Sequence, residues 1–464
     1  MTLRVLEFND TGLRMSDESG IVISSPGYAL VMPKQIAFGE AARAQSRINP
    51  LNSYNQFWHK LSLDPFARPV AHYRHNADLA YSHLQDLAVA SQYEGDVVLA
   101  VPGSFTREQL AILLGLMKQS PFRVAGIIDA SLAAAIDHAD AEGVLHADLH
   151  LHHMVLSRLH RSGNELRRDE VVVLPGTGWV NLSESLLQLV TSAFIAQCRF
   201  NPQHNADSEQ QLLDLLPHWL EEEQADLSAG GESERTHLQI RLSHNTTVHE
   251  ASLARGSLTA RLQSAYQKIA QQLQQLDPSG NFPVLVSDRL QRLPGLMAAL
   301  TAKGMQREVL PLAADAVSSA CLRYQDVLTG QQGGVHFVSR MHRKSPHSHP
   351  APAPDTLLTP APTHLLLEHQ ARPLSSGLQI CLTRRQASPS LMLVRKDVQE
   401  AISDAQVLGT IEKEHHHYHI SGGALLARNG RTLGEKERLA LGDVLTVQGV
   451  DTPITLIRML EHDD

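Results

Sequence analysis

Cysteine is scarce: three residues in 464, Cys198, Cys321 and Cys381. That is too few for a disulfide framework, so stability has to come from a buried core. No window of eighteen apolar residues occurs, which argues against a helical membrane span. The segment Met1–Asp10 lacks the charged, apolar and small-residue zones of a secretory leader, and a reducing cytoplasm is the expected location. Also missing are Gly-x-Ser-x-Gly, a Walker-type Gly-Lys-Ser/Thr and Cys-x-x-Cys, the usual signatures of several hydrolases, P-loop enzymes and thiol oxidoreductases. Basic residues are in the minority, 40 Lys and Arg against 49 Asp and Glu, and the net charge of -9 argues against a dedicated nucleic-acid surface.

What is present is ordinary globular material, 42% hydrophobic and 19% charged, with 26 histidines as the one unusual count. The length suits two to four domains. Proline recurs every second or third residue from Ser345 to Pro362, which favours extended geometry over helix or sheet. This predicts a Pro/His-rich linker over 341–363, between an N-terminal domain (1–340) and a small C-terminal module (364–464). In the first, strand-like and helix-like segments alternate, as in an α/β fold. Asp96–Val101 reads as a strand closed by Pro102-Gly103, and Leu110, Leu113, Leu114 and Met117 mark a helix after it. Val124–Ile128 reads as a second strand, followed by the small-residue helix Ala130–Ala135. Leu258, Leu262, Ala265, Ile269, Leu273 and Leu276 recur at helical steps before a turn at Asp277–Gly280 and a strand at Pro283–Val286, and another helix begins near Pro294. The C-terminal module is β-rich at Gly377–Leu382, Ser390–Val394 and Thr452–Ile457.

Taken in order, the N-terminal segments resemble the actin-like ATPase superfamily, and in particular the nucleotide-binding domain of DnaK-type heat-shock chaperones. The resemblance spans roughly residues 1–325. It rests on Leu6–Gly12 as a first phosphate loop, Val97–Thr106 as a strand and turn, Ile128–Ala135 in place of a Glu-Pro-x-Ala-Ala-Ala segment and Leu145–His153 as a second phosphate loop. Gln224–Ser228 stands for a Lys-Arg-x-Leu-Ser helix end, and Leu285–Pro294 for the adenosine motif. It implies a bilobal fold whose two lobes are each built round a mixed sheet. Glu7, Asp129 and Asp148 stand where the family orients a magnesium-bound nucleotide and its attacking water. If nucleotide is held, Asn9, Thr11, Gly12 and Arg292 are its implied contacts, and Gly176-Thr-Gly178 after Val171–Leu174 reads either as a glycine turn near that ligand or as a plain strand-to-helix turn.

The phosphate loops have lost most of the glycines that let backbone N–H groups wrap a phosphate. Asn9 replaces one; His150, His152 and His153 replace a run of them; Asp288 and Arg289 replace the paired glycines of the adenosine motif. The expectation is therefore a degenerate domain that requires no cofactor and serves protein–protein interaction, a chaperone-like or scaffold protein. The alternative is a divergent magnesium-dependent ATPase that couples ATP to partner binding, with ADP as product.

Alternation along a strand would put Asp148, His150 and His152 on one face, a metal-like pattern lacking a fourth ligand. His415, His417 and His419 form a second cluster. Neither is assigned a metal. Arg340–Lys344 reads as a solvated basic run. Asn429-Gly430 followed by Leu439–Thr446 weakly resembles the closing strands of forkhead-associated domains, although the Gly-Arg and Ser-x-x-His pieces that would bind phosphothreonine are out of place.

Overall fold

The computed structural model describes residues 3–138, 141–228, 236–301, 307–329, 336–343, 362–367, 370–383, 390–395, 405–414, 417–423, 425–429, 431–433 and 436–457. The expected linker falls mostly on 344–361, outside the described residues. The chain divides into two compact units, Met1–Ser345 and Pro346–Asp464. The first is α/β, built on two mixed sheets; the second is antiparallel β. Among the described residues, no helix is long and apolar enough to cross a membrane.

The two large sheets of the first unit repeat one topology. In one, β1 (Arg4–Glu7), β2 (Leu13–Asp17) and β3 (Gly20–Ser25) form an antiparallel meander. β4 (Gly95–Val101) and β5 (Phe122–Asp129) then add in parallel beside β1. In the other, β6 (Gly143–Leu149), β7 (His153–Ser162) and β8 (Glu165–Pro175) form the meander. β9 (Val284–Val286) and β10 (Val309–Pro311) add in parallel beside β6. One late segment borders both sheets: Phe337–Val338 pairs with β5, and Arg340–His342 pairs with β8.

β4 reads as a near-continuous apolar run because it is buried on both faces; β6 is equally buried but carries His146 and Asp148 among its apolar residues. The helix Arg107–Gln119 after β4 starts at a capping box, with Thr106 and Gln109 exchanging side-chain-to-backbone hydrogen bonds. Ala130–Ala135 is wholly buried, and its small side chains let it lie between the sheets with Val5, Ile128, Val144 and Leu285. Helix Ser257–Leu276 buries Leu258, Leu262, Ile269, Leu273 and Leu276 as the periodicity predicts. Tyr266 takes the place expected of Ala265, its hydroxyl donating to the Pro294 carbonyl at 2.8 Å. Each such leucine contributes on the order of 2 kcal/mol by leaving water. The helix expected near Pro294 is Leu296–Leu300, preceded by a shorter one, Asp288–Gln291.

In the second unit the described residues form one six-stranded and one five-stranded antiparallel sheet. Leu365, Leu445, Ile454 and Leu456 of the former share a core with Ile380, Ile411 and Ile420 of the latter, so the sheets pack face to face. Asn429, with positive φ, accepts from the Val444 N–H and donates to Asp443, while Arg428 pairs with Asp443 and Glu437. These side chains tie the end of strand Leu426–Arg428 to the start of strand Val444–Val447. His415 lies outside the described residues; His417 and His419 lie on the strand His417–Gly422.

Candidate functional site

Glu7 ends β1 and Asp148 lies near the end of β6, so the two sheets deliver their first strands' carboxylates toward each other. Both are buried. A buried carboxylate needs a cation or several donors. For Glu7 the cation is Arg289, at the start of helix Asp288–Gln291. Its guanidinium meets Glu7 at 2.6 Å and donates to the Gly12 carbonyl at 3.0 Å, with both side chains under a tenth exposed. Burial alone would lower the Arg289 pKa, but Glu7, Asp148 and Asp288 raise it. Beside it, Arg14 forks onto Asp288 at 2.9 and 2.7 Å and reaches the Ala314 carbonyl at 2.8 Å.

Asn9 leaves β1 and turns back. Its carbonyl accepts from the Thr11 N–H and hydroxyl, and its amide donates to Asp148 at 2.8 Å and the Leu149 carbonyl at 3.0 Å. Asp10 accepts from the Leu151 N–H at 2.7 Å. Between these carboxylates sits His150, 3.4 Å from Asp10 and 3.6 Å from Asp148. Burial opposes a charge on His150, yet the two acids outweigh it and push its pKa up to about 9. The same contacts, with Arg289, hold Asp148 below the usual carboxylate range against the opposing effect of burial.

Asp129 is tied differently. It caps helix Ala130–Ala135 by accepting from the Ser131 and Leu132 N–H groups and pairs with Arg168 of β8 at 2.6 Å. Glu7, Asp129 and Asp148 all act electrostatically on the buried His146. Desolvation lowers the His146 pKa against the pull of all three.

The expected strand alternation through Asp148, His150 and His152 does not hold. β6 ends at Leu149, and residues 150–153 make a tight turn closed by the His150 N–H donating to the His153 carbonyl. His150 therefore faces the acids. His152 meets the Asn55 carbonyl at 2.8 Å and leans on His59. His153 stacks on His150 with ring centres 5.0 Å apart, and neither of its ring nitrogens finds a partner; burial is the main cause that brings its pKa down to about 3.

The turn also occupies the start of the 20-residue helix Trp179–Cys198. The Trp179 and Val180 N–H groups, free in a bare helix N-terminus, donate to the His150 and Leu151 carbonyls, both at 2.9 Å. Gly178 permits this approach, since a Cβ there would lie 2.2 Å from the His152 carbonyl carbon. Gly176, at φ +74°, makes the bend before it. Next to the turn, a small cleft of about 100 Å³ is lined by Phe8, Trp58, His59, Phe105, Gln109 and His153, among others.

Of the implied nucleotide contacts, Asn9, Thr11 and Gly12 thus lie beside Asp148 and Arg289; Gly176 and Gly178 of the glycine turn lie beside the histidine turn. The Arg292 side chain is two-thirds exposed and only brushes Asp288 at 3.7 Å. Asp10, Arg14, His59 and Arg168 belong to the site without having been singled out in the sequence. The usable signal was charge balance: arginines inside otherwise apolar segments have to be paired with the buried acids. Among the described residues, no group of three or more His, Cys, Asp or Glu is arranged to hold a metal ion. Against known proteins, no family model matches the chain, and no curated protein matches it.

Proposed function

We propose that this chain is a chaperone-like or scaffold protein whose N-terminal unit is a bilobal, actin-like ATPase domain turned to protein–protein interaction, its nucleotide contacts replaced by pairs within the chain. The carrying observation is Arg289. Its guanidinium occupies the ground between Glu7 and the Gly12 carbonyl, beside Asp148, so the acids that would orient a magnesium-bound nucleotide already face a fixed cation. Two further features support the reading. The first five strands of the two mixed sheets share one order, which suits two lobes of related build. The helix start at Trp179 is filled by protein carbonyls rather than left open to an anion. The C-terminal pair of sheets, in which Asn429 and Asp443 tie two neighbouring strands together, supports a forkhead-associated-like module that adds a second protein-binding surface.

Calorimetric titration of the intact protein with ATP and magnesium tests this. The expected result is no binding tighter than about 100 μM, roughly 5.5 kcal/mol. Tighter binding, with phosphate release abolished by Asp148→Asn, would overturn it in favour of a divergent ATPase of the DnaK-type class.

A further inference from the structure

Three sets of contacts join the β1–β3 half of the N-terminal unit to the β6–β8 half, and all are made by the chain's own atoms. The inner set is buried and polar: Glu7 with Arg289, Asn9 with Asp148, Asp10 with the Leu151 N–H, and Arg14 with Asp288. The second is apolar, with Tyr28, Leu30 and Ala42 packed on Leu151 and flanked by Trp179 and Val180. The outer set is partly exposed. Arg47 forks between Glu184 at 2.8 Å and Glu209 at 3.0 Å, and Arg43 meets Asp214 at 3.1 Å. Gln210 ties the same segment down by accepting from the Arg47 N–H and donating to the Arg43 carbonyl.

We infer that these sets act as a permanent clasp: the two halves stay in one closed arrangement that neither requires nor responds to nucleotide. Redundancy keeps the clasp shut. Separating the halves means hydrating four buried polar pairs, exposing an apolar contact and breaking the outer ion pairs together, and no single ligand gates all three. A domain that cycles with nucleotide needs two arrangements of similar free energy. Here each pair named above is already made in one of them. This inference rests on the scaffold reading above.

The test is a distance distribution between spin labels at Leu51→Cys and His218→Cys, both exposed and one in each half, in the full-length chain carrying Cys198→Ser. One narrow distribution, the same with and without magnesium and ATP, is expected. A broad or two-peaked distribution, or one that shifts with ATP, would overturn the clasp. Arg43→Ala with Arg47→Ala removes only partly exposed side chains and, because the buried and apolar sets remain, should leave the distribution narrow at low salt, where exposed pairs contribute most; a broadened or two-peaked distribution would overturn the redundancy on which the clasp rests. Titration calorimetry reports separately on the scaffold reading, because ATP binding that leaves the distribution narrow defeats that reading alone.

Discussion

His150 carries a proton at neutral pH because Asp10 and Asp148 flank it, whereas His153 and the fully buried His83 are held neutral by desolvation at about 3. His83 illustrates the neutral form: its Nδ1 accepts from the Trp58 indole at 3.0 Å, which leaves Nε2–H to donate to the Ser25 hydroxyl. These opposite displacements set a pH profile. His150, raised from 6.5 to about 9, contributes stability that is complete below pH 6.5 and lost as pH rises through 9. His153 and His83, lowered from 6.5, cost stability as pH falls from 6.5 toward 3, because the unfolded chain takes up the proton first. Asp10 and Asp148, also lowered, lose their contribution below about pH 4. Thermal unfolding between pH 4 and 10 should therefore peak near pH 6.5, and His150→Gln should flatten the alkaline limb. A midpoint that climbs from pH 7 to 9 would contradict the assignment.

The turn 150–153 and the helix Trp179–Cys198 stand or fall together, because the helix starts on the turn's carbonyls. Gly178→Ala places a methyl on the His152 backbone, which cannot move without losing both hydrogen bonds. A loss of about 3 kcal/mol is expected in urea unfolding, with faster hydrogen exchange at Trp179 and Val180; an unchanged midpoint would show that the contact yields freely. This turn also marks where reading from sequence stops. Helix Ser257–Leu276 and strands Gly95–Val101 and Phe122–Asp129 were legible because their patterns are local: leucines at helical steps, and apolar runs closed by Pro, Gly or Asp. The turn contains no glycine, proline or asparagine. It is held by Asp10, whose carboxylate accepts from Leu151 across 141 positions, so nothing near Leu149 announces that the strand ends there. Glu7 and Arg289 are 282 positions apart, and their acid and base types were visible while their partnership was not.

At the scale of the whole chain, each compact unit owns a core. The first is built on Leu145, Leu186 and Ile269 in one cluster and Leu6, Leu84 and Leu99 in another; the second is built on Ile380, Leu445 and Leu456. Separate cores predict separate unfolding: scanning calorimetry should resolve two transitions, and residues 364–464 expressed alone should give a β-type circular dichroism spectrum with a cooperative melt. A single transition, with an unfolded fragment, would make the units one cooperative body. The segment that borders both large sheets sets a further condition, on synthesis rather than on stability. Val338 pairs with Ile128 roughly two hundred residues after the latter is made. At ~5–20 residues per second, the open edge of β5 waits roughly 10–40 s on the ribosome before its last neighbour arrives. Throughout that interval β5 is paired with β4 on one side only, and its other edge stays open as a template for a foreign strand until the chain's own late segment closes it.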